Sequence, residues 1–272
     1  MGRRLFLAAL SALFIMAAAN SGFPQRRYHE YESLISDVES HRQPPKETEF
    51  KFARVQFTSR GPGRRNFGGY ARCTPDDTYD GARICGWAHD YPDGEEHILQ
   101  VANEATGINL NKDSYVIVRL DSDELYQYPF AYFSEVGEMT MNQKEVEHMR
   151  EFLNRGGFAL ADDLDEGSFR WFENEMKQVF PARSFVELTL DNPVFHTYYD
   201  IPTLEVSPPY EQTGPTRFMG YFDDRGRLCF LVNVNNDMGD FWEWIDQPQF
   251  DLAASTTGLR FGINFLMYSL TH

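Results

Sequence analysis

The chain has 272 residues, of which 41 are acidic and 25 are Lys or Arg, so its net charge at pH 7 is −16. Such an acidic protein repels phosphate backbones, and no dense basic stripe offsets the charge, which excludes nucleic acid as a partner. Hydrophobic residues make up 42% of the sequence and aromatic residues 15%. This composition can bury a substantial core, so it predicts one globular domain and not a disordered chain.

The first 19 residues have the pattern of a secretory signal peptide. Arg3 and Arg4 precede an apolar run over residues 5–19, which ends in the small residues of a cleavage signal. This run is shorter than the roughly 20 residues that a bilayer requires, so a membrane anchor is the weaker alternative. The paired arginines also fit a twin-arginine signal, and the export route stays open. We expect a periplasmic or extracellular protein without a membrane span in the mature chain.

The predicted mature chain is more acidic than the precursor. Removing residues 1–19 takes away two arginines and no acidic residue, so 23 basic residues face 41 acidic ones and the net charge becomes −18. Residues 20–49 are polar and predict a linker. An α/β domain is expected over residues 50–272, with a polar insertion over residues 61–86.

Two of the three cysteines, Cys73 and Cys85, lie in this insertion. In an oxidising compartment we expect them to form a disulfide. Metal ligation is the alternative, but the sequence has no C-x-x-C pair and no cluster of histidines. Cys229 lies in a nearly continuous apolar strand, so we expect a buried free thiol there.

Strand patterns alternate with helix patterns along the rest of the chain. Apolar runs predict strands over residues 50–58, 115–120, 129–133, 158–161, 185–190, 217–222 and 227–234. Apolar residues at helical spacing predict helices over residues 94–106, 143–153, 169–179 and 257–269. Asn142 and Glu145 form a capping-box pattern, and Ser168 is the expected cap of the third helix. This order predicts an α/β fold with a largely parallel sheet covered by helices on both faces.

The clearest α/β unit surrounds Gly156 and Gly157. A helix pattern stops at these glycines, and a short apolar strand over residues 158–161 leads directly into Asp162 and Asp163. Open α/β sheets bind their ligands at the carboxyl ends of their strands. The sequence therefore places a candidate site at the end of this strand.

Three groups of polar residues are candidate sites, and the first lies at this strand end. Its acids are Asp162, Asp163, Asp165 and Glu166. Paired carboxylates suit a hard cation such as Ca²⁺ or Mg²⁺, or sugar hydroxyls. Helix capping and solvated charge are the alternative, which we favour slightly. In a parallel sheet, Asp121 at the end of the 115–120 strand would open on the same rim.

The second group follows the strand over residues 227–234. Its polar residues are Asn233, Asn235, Asn236, Asp237 and Asp240. They precede Trp242 and Trp244, and amides and carboxylates beside exposed indoles are common in carbohydrate contact. The alternative, which we favour slightly, is a strand exit with both indoles packed in the core.

The third group follows the insertion and comprises Trp87, His89, Asp90 and Tyr91. A neighbouring His and Asp could act as acid and base. Adjacent side chains often point apart, however, so a structural role is the favoured interpretation.

A series of short motifs also occurs in a defined order. The motifs are Phe52–Arg54, Trp87 with Asp90–Pro92, Tyr128–Phe130, Gly156–Phe158, Asp162–Asp163, Pro193–Phe195, Asn235–Asp237 with Gly239–Asp240, and Gly262–Asn264 with Tyr268. Over roughly residues 50–271 the series is similar to domain-of-unknown-function family 4159. The resemblance implies a flavodoxin-like sheet of the class I glutamine amidotransferase type, in exported or membrane-associated bacterial proteins. The family has no established activity, and the insertion over residues 61–86 is longer than the family usually has there.

An amidotransferase or hydrolase of this fold needs a Cys or Ser on a tight turn between a strand and a helix. The sequence has no G-x-C-x-G or G-x-S-x-G motif, and its seven histidines form no H-E-x-x-H arrangement. Where the turn should carry a nucleophile, the chain has Asp162 and Asp163. Glutaminase-type chemistry is therefore not expected.

Two functional hypotheses follow. The first is an exported, non-catalytic amidotransferase-like domain that binds a ligand or a partner protein of unknown identity. The second is a carboxylate-based hydrolase or lyase for a carbohydrate-like substrate, with a divalent cation as an optional cofactor. Both use the same candidate residues, which are Asp162, Asp163, Asp121, Asn235, Asp237, Asp240, Trp242, Trp87 and Asp90.

We predict that Cys73 and Cys85 are joined in the exported protein and that Cys229 is reduced, because only the first two share a polar segment. Peptide mapping under non-reducing conditions should recover a Cys73–Cys85 peptide and an alkylated Cys229 peptide. A bond from Cys229 to either partner would contradict this prediction.

Overall fold

The computed structural model describes residue 40 and residues 43–59, 86–206, 214–248 and 250–272. The predicted signal peptide, the paired cysteines and nearly all of the insertion lie outside the described residues, so those assignments stay predictions. No helix within the described ranges is long and apolar enough to cross a membrane.

The described residues form seven strands and the helices that connect them. The strands are β1 (Phe52–Gln56), β2 (Tyr115–Arg119), β3 (Phe130–Ser134), β4 (Phe158–Leu164), β5 (Val186–Glu187), β6 (Arg217–Phe222) and β7 (Leu228–Val234). The helices are α1 (Asp93–Ala105), α2 (Gln143–Asn154), α3 (Glu166–Val179), α4 (Met238–Glu243) and α5 (Leu252–Thr271). Short 3₁₀ turns lie at Gly86–Ala88, Asp123–Gln127, Val136–Glu138 and Pro193–Phe195.

The strands form one sheet in the order β2-β1-β3-β4-β7-β6-β5. The pairs from β2 through β7 are parallel, whereas β6 is antiparallel to both of its neighbours. The antiparallel pair β6–β7 is the predicted hairpin, whose turn includes Gly226 at a φ of 78°. The fold is therefore α/β with a mostly parallel sheet, as the sequence predicts.

Both faces of the sheet are buried. Along β4, Ala159 and Ala161 pack into one core with α2 and α3, whereas Phe158 and Leu160 pack into a second core with α1, α4 and α5. Side chains in a strand alternate between the two faces, so a strand that is covered on both faces needs a continuous apolar run. This is why β4 and β7 were clear in the sequence.

Several element bounds differ from their predictions. β4 continues to Leu164, because this residue pairs with Val234 of β7 beyond an irregularity in the register. The cap of α3 is Asp165 and not Ser168, since the Asp165 side chain accepts a hydrogen bond from the Ser168 N–H. α5 begins five residues earlier than predicted, because its first turn is exposed and has no apolar spacing to mark it. The predicted strand over residues 185–190 is reduced to β5 at the sheet edge.

The capping box at the start of α2 is confirmed. Asn142 Oδ1 accepts hydrogen bonds from the N–H groups of Lys144 and Glu145, and Glu145 accepts one from the Asn142 N–H at 2.9 Å. Glu145 also accepts a hydrogen bond from the Thr58 N–H at 2.8 Å, which attaches α2 to the segment that follows β1.

We predict that Asn142→Ala lowers the free energy of unfolding by about 1 kcal/mol, because two helix N–H groups lose their acceptor. Urea denaturation would measure the change. Gln143→Ala, one residue along on the exposed surface, is the control and should change stability by less. Equal effects of the two substitutions would contradict the capping role.

Candidate functional site

The candidate site lies at the carboxyl ends of the three adjacent strands β3, β4 and β7. Among the described residues other than glycine, four have a positive φ, and all four lie at this rim: Asp90 at 63°, Glu135 at 47°, Asp163 at 57° and Asn235 at 57°. The left-handed conformation costs about 1–2 kcal/mol for most residues, and less for Asp and Asn. Such strained residues cluster at functional sites because the surrounding fold can hold them in place.

The loop before α1 is fixed against the rim by Arg54 of β1. Its guanidinium is 1% exposed, forms an ion pair with Glu95 of α1, and donates hydrogen bonds to the carbonyls of Trp87 at 2.8 Å and His89 at 2.7 Å. The guanidinium also lies 5.0 Å from the ring centroid of Tyr132. These contacts hold His89 and Asp90 beside the strand ends.

The imidazole of His89 brings the three predicted groups together. Its Nδ1 lies 3.3 Å from Asp90 Oδ1, 3.5 Å from Asp163 Oδ2 and 3.8 Å from Asp237 Oδ2. The His89 side chain is 30% exposed and that of Asp163 is 33% exposed, so solvent reaches this point. Residues from three separate segments thus surround one ring nitrogen.

Within the part of the chain that the structure describes, three overlapping triads have ligand atoms within 4.8 Å of one another. They are His89–Asp90–Asp237, His89–Glu135–Asp163 and Asp90–Asp240–Glu243. Sequence reasoning missed Glu135 and Glu243. Glu135 follows β3 as Asp162 follows the predicted β4, so a search for acids at the carboxyl ends of strands would have found it. Glu243 reaches the site only because of where α4 lies, and no sequence pattern indicated that position.

The pKa values of the clustered acids are raised. Burial raises the pKa of Asp240 to about 8, with further increases from Asp163 and Glu243. Burial and neighbouring carboxylates also hold the pKa values of Asp90 and Asp237 well above the ordinary range. These shifts follow from desolvation and from repulsion between like charges.

Two other ionisable groups of the site show opposite shifts. Burial, reinforced by Asp163, raises the pKa of Glu135 well above the ordinary range, and these two carboxyl groups also share a hydrogen bond. The pKa of His89 is lowered, mainly by burial. The imidazole thus favours its neutral form, the form in which a ring nitrogen can coordinate a cation.

The neighbours Asp162 and Asp163 occupy different environments. Asp162 is fully buried and accepts hydrogen bonds from Asn233 Nδ2 at 2.7 Å, the Gly239 N–H at 2.8 Å and the Tyr132 hydroxyl at 3.2 Å. Burial nevertheless raises its pKa to about 6. Asp162 therefore positions the start of α4, whereas Asp163 faces His89 and solvent.

Four predicted site residues have other contacts. Asp121 forms an ion pair with Arg119 at 2.9 Å and belongs to none of the triads. The two indoles, Trp87 and Trp242, are buried in the two cores, so neither offers a surface to a ligand. The Asn235 amide donates a hydrogen bond to the Pro215 carbonyl at 3.1 Å, which makes it a contact that holds a loop. These contacts give all four residues structural roles, the interpretation that the sequence favoured for Trp87 and Trp242.

Two further features carry no site chemistry. Cys229 is buried within β7, and burial raises the pKa of its thiol to about 12, so it is not an activated nucleophile. A pocket of about 420 Å³, lined in part by Phe50, Ile108 and Pro129, opens near the amino ends of β1 and β3 and contains none of the clustered acids.

Residues 80–270 match the model of a family described as Domain of unknown function (DUF4159). This match covers well over half of the chain. The chain belongs to this family. The DUF4159 match includes every acid of the three triads. It begins later than the range of roughly residues 50–271 that the motifs indicated, so β1 with Arg54 precedes it. A comparison with curated proteins found no match.

We predict that, in the presence of a chelator, the free energy of unfolding falls as the pH rises from 6 to 9. The folded acids hold protons that the unfolded chain, with ordinary pKa values near 4, has already released. Their stabilising contribution is complete below pH 4 and is lost as the pH passes through the folded pKa values, about 6 for Asp162 and about 8 for Asp240.

Denaturant titrations at several pH values would measure the slope of the free energy of unfolding against pH. Asp240→Asn should flatten it between pH 7 and 9, whereas Asp246→Asn, at an exposed acid outside the triads, should leave it unchanged. Stability that is constant or rises over this range would contradict the prediction.

Proposed function

We propose that the protein binds a divalent cation between His89, Asp90, Asp163 and Asp237. The observation that carries this proposal is the position of His89 Nδ1, which lies 3.3, 3.5 and 3.8 Å from one oxygen of each carboxylate. Bonds of about 2.0–2.2 Å to a shared ion place its ligand atoms roughly 3–4 Å apart. The spacing of His89, Asp90 and Asp237 fits such an ion, and a movement of the partly exposed Asp163 carboxylate would bring it to the same ion.

A second observation supports cation binding by Asp90, one of the proposed ligands. The Asp90 side chain is 1% exposed, and its Oδ2 accepts no hydrogen bond from the part of the chain that the structure describes. Burying a carboxylate oxygen without a donor is costly, and a cation would remove that cost. It would also relieve the repulsion between Asp90, Asp163 and Asp237.

The ligand chemistry indicates which cations are preferred. Carboxylates alone suit Ca²⁺ or Mg²⁺, the hard cations expected from the sequence, whereas imidazole suits transition metals. One imidazole with several carboxylates favours Mn²⁺ or Zn²⁺ over Ca²⁺.

The whole protein is proposed to be an exported, non-catalytic binding domain with a flavodoxin-like sheet of the amidotransferase type. The parallel strands β2-β1-β3-β4 between two helical layers support this fold assignment. The buried Cys229, and a carboxylate where a nucleophile would be expected at the end of β4, argue against amidotransferase chemistry. The basic and apolar pattern of residues 1–19 supports export.

A metal-assisted hydrolase is the second candidate function. Asp163 and Asp237 both contact the imidazole of His89, at 3.5 and 3.8 Å from its Nδ1. This places the two carboxyl groups close enough to act as an acid/base pair, for which separations of roughly 5–10 Å are typical. A bound cation could also lower the pKa of a water molecule at the solvent-exposed side of His89. A carbohydrate substrate has less support, because the indole of Trp242 donates to the Gly258 carbonyl inside the core.

We predict that Mn²⁺ or Zn²⁺ raises the melting temperature of chelator-treated protein by about 5–10 °C at roughly 100 times Kd, and that Ca²⁺ has a smaller effect. Asp163→Asn should abolish the shift without unfolding the protein, because Asn tolerates the left-handed backbone of this position. Asp162→Asn should instead lower stability by about 1–3 kcal/mol, because an amide cannot accept all three hydrogen bonds.

Thermal-shift measurements and calorimetric titrations would test these outcomes. Asp246→Asn is the matched control, because its carboxylate is exposed and lies outside the triads. An unchanged cation response in Asp163→Asn would overturn the site. Cation-dependent turnover of a chromogenic glycoside or ester, lost in Asp163→Asn, would favour the hydrolase over the binding domain.

A further inference from the structure

We propose that the site holds two divalent cations, with Asp90 as the bridging carboxylate and with Asp240 and Glu243 as ligands of the second cation. This inference rests on the proposed function, because it places a second ion beside the first. It also assigns a role to α4 that the first cation alone does not require.

The two oxygens of Asp90 have different neighbours. Oδ1 lies 3.3 Å from His89 Nδ1, on the side of the first cation. Oδ2 lies against α4, where a Cβ on Gly239 would collide with it. Oδ2 accepts no hydrogen bond within the described residues although the side chain is 1% exposed. A bridging carboxylate has this arrangement, with one oxygen directed to each ion.

Helix α4 supplies the other ligands of the second position. Asp240 and Glu243 are three residues apart on this helix and therefore lie on the same helical face. Each has a carboxylate oxygen within 4.8 Å of an Asp90 oxygen and of the other. The Glu243 side chain is only partly buried, so an ion can enter from solvent on that side.

The start of α4 connects the two positions rigidly. Asp237 Oδ1 accepts a hydrogen bond from the Asp240 N–H at 3.1 Å, while its Oδ2 faces His89 at 3.8 Å. The Gly239 N–H donates to the buried carboxylate of Asp162 at 2.8 Å. Hydrogen bonds from two backbone N–H groups to these two carboxylates thus hold the start of α4 beside both triads.

The number of clustered ligands also favours two ions. One divalent cation among Asp90, Asp163 and Asp237 leaves the clustered carboxyl groups of Asp240 and Glu243 without a bound ion, and the nearby guanidinium of Arg54 is already paired with Glu95. Two ions held roughly 3.5–4 Å apart by a shared carboxylate are a common arrangement in metal-dependent proteins.

The test uses the purified protein, stripped with a chelator and titrated with Mn²⁺. Metal content per chain gives the stoichiometry, and electron paramagnetic resonance reports whether two Mn²⁺ ions are spin-coupled. We expect two ions per chain and a coupled spectrum. Glu243→Gln should reduce the content to one ion and replace the coupled spectrum with the six-line signal of an isolated Mn²⁺.

Each result separates this inference from the proposed function. One ion in the parent protein, unaffected by Glu243→Gln but lost in Asp163→Asn, would overturn the second position and leave the first intact. No bound ion would overturn both. Two ions without coupling would overturn the bridging role of Asp90. The coupled spectrum of the parent protein is informative even if Glu243→Gln fails to fold, and Asp246→Asn should keep both ions.

Discussion

The buried ion pair between Arg54 and Glu95 is the interaction on which the rest of the site depends. Removing two charges from water costs several kcal/mol per ion, and the mutual attraction repays this cost only when further hydrogen bonds satisfy the remaining donors. Here the guanidinium also donates to the carbonyls of Trp87 and His89. The Arg54 side chain therefore joins β1, α1 and the loop that carries Asp90, and it holds this loop in a fixed position relative to the sheet.

The acids at the rim are tolerated because the surrounding fold is rigid. Four left-handed residues and several desolvated carboxylates all work against folding at this edge of the sheet. The opposing stabilisation comes from two apolar cores, in which β4 and β7 are covered on both faces. Stability alone does not require left-handed residues and desolvated carboxylates to be concentrated at one edge of the sheet. Their concentration is the physical argument that the rim binds something.

Sequence patterns predicted the fold better than they predicted the site. β4, the β6–β7 hairpin and the capping box of Asn142 follow from local rules, namely apolar runs, turn residues and side-chain acceptors. The contacts between His89, Asp163 and Asp237 join residues far apart in the chain, and only the order of strands in the sheet brings them together. The sequence favoured burial of Trp242 only slightly, because its packing likewise depends on a distant element, α5.

The neighbouring acids Asp162 and Asp163 show why the sequence alone could not tell a ligand-facing acid from a structural one. In a regular strand, adjacent side chains point to opposite faces, and either carboxylate could have been the solvated one. β4 is irregular between Ala161 and Leu164, and Asp163 takes a left-handed conformation within that interval. Asp162 remains in register opposite Ser134 and supports α4, while the carboxylate of Asp163 lies at the rim beside His89. A single backbone irregularity thus separates a positioning acid from a ligand-facing acid, and that separation lets one strand end both hold α4 in place and present charge to a cation.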